Sequence, residues 1–562
     1  MPENKRKQQS FEYGAIILLC STMLVKVIGA IFKIPLSNLI GDLGFGYFSS
    51  AYDLFTPIYA LAMAGLHIAV SRVVAENMTK GNYKDVRQSL KITKRIFFLT
   101  GLTGFLLMLA LIYPFVKVTD PTGKTIYSLF AIAPALLFCC ITSAFRGYFE
   151  GLRNMYPTAI SDVTESMGKL VLGLGFAYIA MRVTEGNVAI AAAAAMLGIT
   201  AGSMAAALYL FLRHKIKGDG ITEEEYRLAP DAQPMGKATR ALILIALPIV
   251  LSSLANNVAS LVDVSFVKIQ LANLMESGAD TIREMYKSSI DDYNSFHDAL
   301  TDKAIPTFLY GIRGKAFTIY NLVPTITSVL GVSALPVLTT MWTQKNKAGL
   351  KRNMESTMKL TAIIAMPAGM GFLFMGDGIM ALIYDTVASV EIGGAMMRIF
   401  GVAAIFAGMA IPMTSMLQAI GKEKFSLMNV AIGAAIKVIV NIIFVGIPSI
   451  NIKGAAIGTA ACYAFIFFAN LISLIKFTGV IPNFYKSLIK PLISALACGG
   501  TALLCYKILG EGSIKVIVSI LAGAVVYFAF LVLLNTFEEE DVVSLPKGEK
   551  IARLCKKLKI IR

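Results

Sequence analysis

The sequence predicts an all-α polytopic membrane protein with about fourteen transmembrane helices. The 562-residue chain is 56% hydrophobic and 15% charged, with a mean hydropathy of +0.68, whereas a soluble protein carries about 25% charged residues. The apolar residues fall into fourteen runs, each near the ~20 residues that cross a bilayer. Because backbone groups in lipid must bond internally, such runs are helices.

The distribution of the basic residues along the chain predicts the membrane topology. Both termini and every second connection hold most of the Lys and Arg residues, and the connections between them hold few. This alternation follows the positive-inside rule for an even number of spans, with both termini cytoplasmic. The net charge of +17 is therefore attributed to topology and to anionic lipid headgroups, not to nucleic acid.

Weak internal symmetry predicts two pseudo-symmetric six-helix lobes followed by two extra C-terminal helices. "AFRGYFEGLRNMYPTAISD" has a counterpart in "SMLQAIGKEKFSLMNVAIG", and each leads into a helix with one deep lysine. Within the second lobe, residues 271–304 are acidic and predict a short external helical cap. The predicted parts are the N-lobe (1–212), a cytoplasmic linker (213–240), the C-lobe (241–476), spans thirteen and fourteen (477–535), and a basic cytoplasmic tail (536–562).

Three ionisable residues lie close together in the predicted fifth span, "SDVTESMGKLVLG". Asp162, Glu165 and Lys169 fall within an arc of about 100° on one helix face. Lys169 lies roughly 16 Å along the helix, near the middle of a ~30 Å hydrocarbon layer. Glu165 and Lys169 have the favourable i, i+4 order, which allows a self-neutralised pair that packs two helices. That interpretation leaves Asp162 unexplained, so a polar cavity is favoured.

Other deep charges extend this prediction, because a charge at the bilayer centre costs about 2.5–3.5 kcal/mol and usually faces a cavity or a partner. An excess of bases suits an anionic substrate such as a phosphate, whereas a site for drug cations favours acids and aromatics. The predicted substrate-binding residues are Lys26, Lys169, Arg398 and Lys437. The predicted cavity acids are Asp53, Asp162, Glu165 and Asp263.

The sequence contains no pattern typical of an enzyme or a metal site. There is no GxSxG, HExxH or Walker A motif with Lys-Ser/Thr. The seven cysteines show no CxxC spacing, and the three histidines are scattered. We therefore expect a transporter that needs no cofactor and no metal.

The segment "FRGYFEGLRNMYPTAISDVTESMGKLV", together with "GLHIAVSRVVAE" at the end of the second span, resembles the stage V sporulation protein B/YtgP family. That family groups with lipid II flippases, MATE exporters and polysaccharide flippases in the MOP superfamily. The resemblance covers most of the chain. It departs from the family at His67, where Pro is usual, and in the longer segment 271–304.

The resemblance implies a flippase of the bacterial plasma membrane, acting in peptidoglycan or polysaccharide biosynthesis. Its cargo would be an undecaprenyl-pyrophosphate-linked glycan precursor similar to lipid II, moved to the outer leaflet by alternating access. It also implies that cavity cations hold the pyrophosphate and that Lys26 stands in the position of a family arginine. We expect the chain to be a monomer. The motif residues are Arg146, Glu150, Asn154, Pro157 and Glu165.

Two other functions stay open at this point. In a cation-coupled multidrug exporter of the MATE type, Asp53, Asp162 and Glu165 would bind H⁺ or Na⁺. A non-transporting scaffold for envelope-synthesis enzymes would tolerate neutralisation of its buried charges. The glycan, the coupling ion and any link to sporulation are left open by the sequence.

Overall fold

The computed structural model describes residues 11–63, 66–384 and 386–536, with side chains at most of these positions. Helices make up most of this part of the chain, with no strand among the described residues. It forms two compact units. The first comprises the described residues up to Ala272 together with Lys303–Gly311, and the second comprises Asn273–Asp302 and the described residues from Ile312 onward.

The first unit contains the helices of the first half of the chain. They are α1 (Phe11–Met63), α2 (Leu66–Thr79), α3 (Tyr83–Thr119), α4 (Thr125–Ile132), α5 (Ala135–Gly151), α6 (Tyr156–Gly168), α7 (Leu174–Val183), α8 (Val188–Lys217), α9 (Glu223–Leu228) and most of α10 (Met235–Met285).

The second unit contains the remaining helices and the larger part of α12. They are α11 (Lys287–Phe296), α12 (Ile305–Tyr320), α13 (Leu322–Thr343), α14 (Lys347–Ile383), α15 (Gly394–Ala419), α16 (Glu423–Val445), α17 (Lys453–Thr478), α18 (Lys490–Leu509) and α19 (Ser513–Leu533). Single π-helical turns occupy Lys169–Gly173, Ser389–Gly393 and Tyr485–Ile489.

Among the described residues, twelve helical segments are long and apolar enough to cross a membrane, so the chain is a multi-pass membrane protein. The first segment, Cys20–Thr79, has 60 residues and is too long for one crossing of a ~30 Å layer at 1.5 Å per residue. It bends at Gly41, whose φ of 66° lies in the left-handed region that glycine enters without penalty. The count of fourteen spans and the orientation of the termini stay predictions.

Each unit has its own apolar core. In the first, Val74, Phe97, Phe145 and Tyr148 belong to one buried cluster built from α2, α3, α5 and neighbouring segments. In the second, the core is unusually rich in methionine, including Met354, Met358, Met366, Met370, Met409, Met413 and Met416. The flexible thioether side chain fills irregular gaps between helices.

The predicted linker 213–240 is held against the start of α3. Arg87 contacts Asp219 (Nε–Oδ2, 2.9 Å) and Glu223 (Nη1–Oε1, 3.2 Å), and it stacks on Tyr226 at 4.6 Å. Burial alone raises the pKa of Asp219, but the hydrogen bonds from Arg87, Tyr148 and the Ile221 amide hold it below its usual range. This segment, 218–231, is called the strap below.

The acidic segment 271–304 is largely helical, because α10 continues to Met285 and α11 follows directly. Its predicted position outside the membrane, like the predicted lobe boundaries, stays a prediction.

Candidate functional site

A tight hairpin between α5 and α6 positions the candidate site in the first unit. Arg153 adopts a left-handed φ of 57°, and the Asn154 amide donates to the Phe149 carbonyl at 3.0 Å. Pro157 then stands in the first turn of α6, where its missing N–H costs no hydrogen bond. Asn154 and Pro157 therefore shape the turn that folds α6 back along α5.

This hairpin brings Arg146 of α5 against three residues of α6. The Arg146 guanidinium contacts Asp162 (Nη1–Oδ1, 2.9 Å) and Glu165 (Nη2–Oε2, 3.1 Å). Its Nε donates to the Ser161 hydroxyl at 2.9 Å. The planar fork of arginine suits such simultaneous contacts. Asp162, which local helix periodicity left without a partner, is thus paired with Arg146.

Glu165 also forms the pair that the i, i+4 spacing predicts. Lys169 Nζ lies 2.9 Å from Glu165 Oε1, so the two carboxylate oxygens face two different cations. The Ser203 hydroxyl of α8 lies 3.4 Å from the same Oε1. The sequence patterns did not predict this third contact.

Glycines allow α8 to approach this pair closely. A Cβ on Gly202 would lie 2.8 Å from the Glu165 carbonyl oxygen and 2.9 Å from the Lys169 amide nitrogen. Gly198, one turn earlier on α8, meets the backbone of Gly173. This GxxxG spacing is typical of close helix contacts in membranes. The π-helical turn Lys169–Gly173 begins at the lysine itself, and such turns often occur at functional sites.

The four ionisable residues Arg146, Asp162, Glu165 and Lys169, called the ion cluster below, are charge-balanced, with two bases and two acids. Their side chains are 10–28% exposed, and Lys169 at 28% is the most accessible. Their mutual pairing offsets the cost of removing charges from water. The excess of positive charge that the sequence predicts for the cavity would therefore require further basic residues such as Lys26.

The other predicted residues of the first unit lie in different surroundings. Lys26 is exposed on α1, and Asp53 and Glu150 are half-buried. Asp53 accepts a hydrogen bond from the Tyr310 hydroxyl at 2.6 Å. Glu150 interacts electrostatically with Arg146 and Asp162 of the ion cluster.

In the second unit, Arg398 is exposed and paired with Asp377, an acid that the sequence patterns did not single out. Lys437 is half-buried on α16. The side chain of Asp263 lies outside the described residues.

Sequence reasoning also missed the role of Arg146 as the centre of the ion cluster and the complete burial of Lys268. Arg146 was identified only through the motif "RGYF", because no local periodicity joins it to α6. No group of three or more His, Cys, Asp or Glu residues that could hold a metal occurs in the described part of the chain.

Residues 13–279 match the profile of the family described as "Polysaccharide biosynthesis protein". Three curated proteins of Bacillus subtilis (strain 168) are similar along most of their length. The uncharacterized membrane protein YabM is 23% identical over 97% of this chain and 96% of its own. Lipid II flippase MurJ is 24% identical (88% and 87%), and stage V sporulation protein B is 26% identical (80% and 80%).

Two solved structures share the fold. "Lipid II flippase MurJ, inward closed conformation" has a TM-score of 0.62 and 15% identity, covering 92% of this chain and 98% of that one. An inward-facing MATE family multidrug resistance transporter of the MOP superfamily has a TM-score of 0.58 and 16% identity (82% and 98%).

The relatives and neighbours with a stated activity are flippases and transporters rather than enzymes, in agreement with the expected class. The predicted resemblance is confirmed: residues 13–279 match the polysaccharide biosynthesis protein model, and the chain is similar to a lipid II flippase and to stage V sporulation protein B along most of its length.

Proposed function

We propose that the chain is a membrane flippase for a lipid-linked glycan precursor. The cargo we propose is an undecaprenyl-pyrophosphate-linked glycan similar to lipid II, moved to the outer leaflet by alternating access. The family match and the flippase named among the relatives support this class of activity. The proposal applies whether H⁺, Na⁺ or neither drives the cycle.

The observation that carries the proposal is the geometry of Lys169 in the ion cluster. An ammonium has three N–H donors, and Glu165 takes one of them at 2.9 Å. The same carboxylate is fixed from its other oxygen by Arg146, which is itself fixed by Asp162 and Ser161. Lys169 is therefore held in position by Glu165, and its side chain is still partly exposed. We expect both properties of a lysine that balances charge beside a phosphate.

We assign direct contact with the pyrophosphate to Lys26, which is exposed on α1. Lys169 would mainly balance Glu165 and add positive potential beside the headgroup. Arg398 and Lys437 are the proposed cationic groups of the second unit. Charge-assisted hydrogen bonds from such groups are the usual means of binding phosphate oxygens.

A cation-coupled multidrug exporter is the competing function, because a MATE transporter shares the fold. In that mechanism Asp53, Asp162 and Glu165 would bind a proton or sodium ion. The carboxylates of Asp162 and Glu165 already face basic side chains at 2.9–3.1 Å. This pairing weakens the case for a cation site at Asp162 and Glu165.

The test is complementation of a bacterium depleted of its lipid II flippase, combined with an assay of lipid II accessibility at the outer leaflet. The full-length chain should restore growth and accessible lipid II. When they are present in the membrane in the same amount as wild type, Lys26→Ala and Lys169→Ala should lose most of that activity. Lys424→Ala, at an exposed lysine of α16, is the matched control and should remain active.

Full activity of both Lys26→Ala and Lys169→Ala would contradict the cationic site and favour a scaffold. Failure of the wild-type chain to restore growth, with a gain of drug resistance, would favour the exporter.

A further inference from the structure

A second buried charge group lies in the first unit, apart from the ion cluster. Lys268 of α10 is completely buried, as are Ser50 of α1 and Tyr310 of α12. Lys268 Nζ donates to the Ser50 hydroxyl at 2.7 Å. The rings of Tyr310 and Phe115 lie 5.3 and 6.0 Å from the same nitrogen, within the range of cation–π attraction.

Asp120, between α3 and α4, supplies the opposite charge and is 2% exposed. Its Oδ1 accepts from the Thr122 hydroxyl at 2.7 Å, and its Oδ2 accepts from the Thr125 hydroxyl at 2.7 Å and amide at 2.8 Å. The Thr307 hydroxyl of α12 lies 3.3 Å from Oδ1. Burial raises the pKa of Asp120, but the Lys268 charge and these donors outweigh that effect and lower it.

A fully buried lysine is rare unless it is paired, and removal of one partner from a buried pair costs more than the pair contributes. Here the ammonium is surrounded by one hydroxyl, two aromatic faces and nearby carboxylates. Asp53, which binds the Tyr310 hydroxyl at 2.6 Å, also interacts electrostatically with Lys268. These groups form a pocket of the kind that binds an organic ammonium ion.

Two of the contributing residues, Thr307 and Tyr310, belong to the short stretch Lys303–Gly311. This stretch follows Asn273–Asp302, which belongs to the second unit, yet it is part of the first. The backbones also meet closely here, because a Cβ on Gly311 would lie 2.8 Å from the Gly46 amide nitrogen. The buried charges and the close backbone packing therefore both involve residues 303–311.

We propose that this pocket is an internal cation site, occupied by the chain's own Lys268 ammonium, which fixes residues 303–311 to the first unit. Its role is to keep the beginning of α12 attached to α1 and to the α3–α4 turn. The proposal concerns the integrity of one unit and does not depend on the proposed transport activity.

The test is hydrogen–deuterium exchange of the purified full-length chain in nanodiscs, followed in peptides covering 303–311 and 119–125. Lys268→Met keeps the length of the side chain but removes its charge, and should speed exchange in both peptides about tenfold. The double variant Lys268→Met/Asp120→Asn removes the charges of Lys268 and Asp120 together and should recover most of the protection at 303–311. Thr307→Val, a milder change, should speed exchange at 303–311 alone.

Lys315→Met is the matched control, because Lys315 is equally buried and bonds Ser389 in the second unit. It should leave exchange at 303–311 unchanged. The proposal is overturned if Lys268→Met exchanges like wild type, or if the double variant exchanges as fast as the single one. If Lys268→Met does not fold, recovery of folded protein in the double variant supports the proposal. Wild-type exchange in Thr307→Val would then overturn it.

Discussion

Arg146 and Lys169 contact the two oxygens of one carboxylate, that of Glu165, at 3.1 and 2.9 Å. Arg146 reaches it from α5 and Lys169 from the π-helical turn that follows α6. Glu165 therefore joins two segments of the first unit, and its charge determines whether the two bases tolerate burial.

Glu165→Gln should destabilise the protein and abolish its transport activity. The substitution leaves Lys169 without its carboxylate and Arg146 with Asp162 alone, at a cost of about 3 kcal/mol, the low end for a broken buried pair. Thermal denaturation in detergent micelles measures the loss. Glu224→Gln, at an exposed position of α9, should change stability by less than about 0.5 kcal/mol. Equal melting temperatures for the two variants would contradict the structural role of Glu165.

Gly202→Ala should separate α8 from α6. The new methyl group would lie 2.8 Å from the Glu165 carbonyl oxygen and 2.9 Å from the Lys169 amide nitrogen, and neither backbone atom can rotate away. We expect a loss of about 1–3 kcal/mol, as for other overpacked sites. Gly175→Ala on α7 is the control, since no atom lies within 4 Å of its added Cβ. If Gly175→Ala melts at a lower temperature than Gly202→Ala, this explanation is refuted.

Arg87→Ala should release the strap from α3. Arg87 holds Asp219, Glu223 and the ring of Tyr226 together, so its loss should speed trypsin cleavage after Arg227 several-fold. Lys84→Ala removes an ion pair whose acid, Asp231, is 99% exposed, and such surface pairs contribute little. Its cleavage rate should match wild type. Identical rates for the two variants would show that the strap is held by other contacts.

The strap should also loosen in acid. The folded pKa of Asp219 lies below its usual value, so its ionised form stabilises the folded strap above the unfolded pKa of about 3.9. That contribution is lost as the pH falls through the folded pKa. Deuterium exchange at amides 219–228, corrected for intrinsic rates, should rise between pH 5 and pH 3. Asp219→Asn should exchange fast at both pH values. If exchange in that variant instead rises between pH 5 and pH 3 as much as it does in wild type, Asp219 is not the cause.

The features that were predictable from the sequence are those that depend on local spacing. The Glu165–Lys169 pair follows from the i, i+4 rule within one helix, and the apolar runs predict the helices themselves. The Arg146–Glu165 contact joins residues 19 positions apart across a hairpin, and the Lys268–Ser50 bond joins residues 218 apart. Such contacts depend on how helices pack, which a single sequence does not encode as a periodic pattern. The π-helical turn at Lys169 likewise has no signal in the spacing of apolar residues.

We propose that Lys169, held by Glu165, adds positive potential at the binding site for a lipid pyrophosphate. Native mass spectrometry of the purified chain with undecaprenyl pyrophosphate tests it most directly. We expect Lys169→Gln to lower the bound fraction about tenfold, because it removes a positive charge beside the headgroup, and we expect Lys424→Gln to bind like wild type. Equal binding by Lys169→Gln and wild type, in a protein that melts normally, would contradict this role of Lys169.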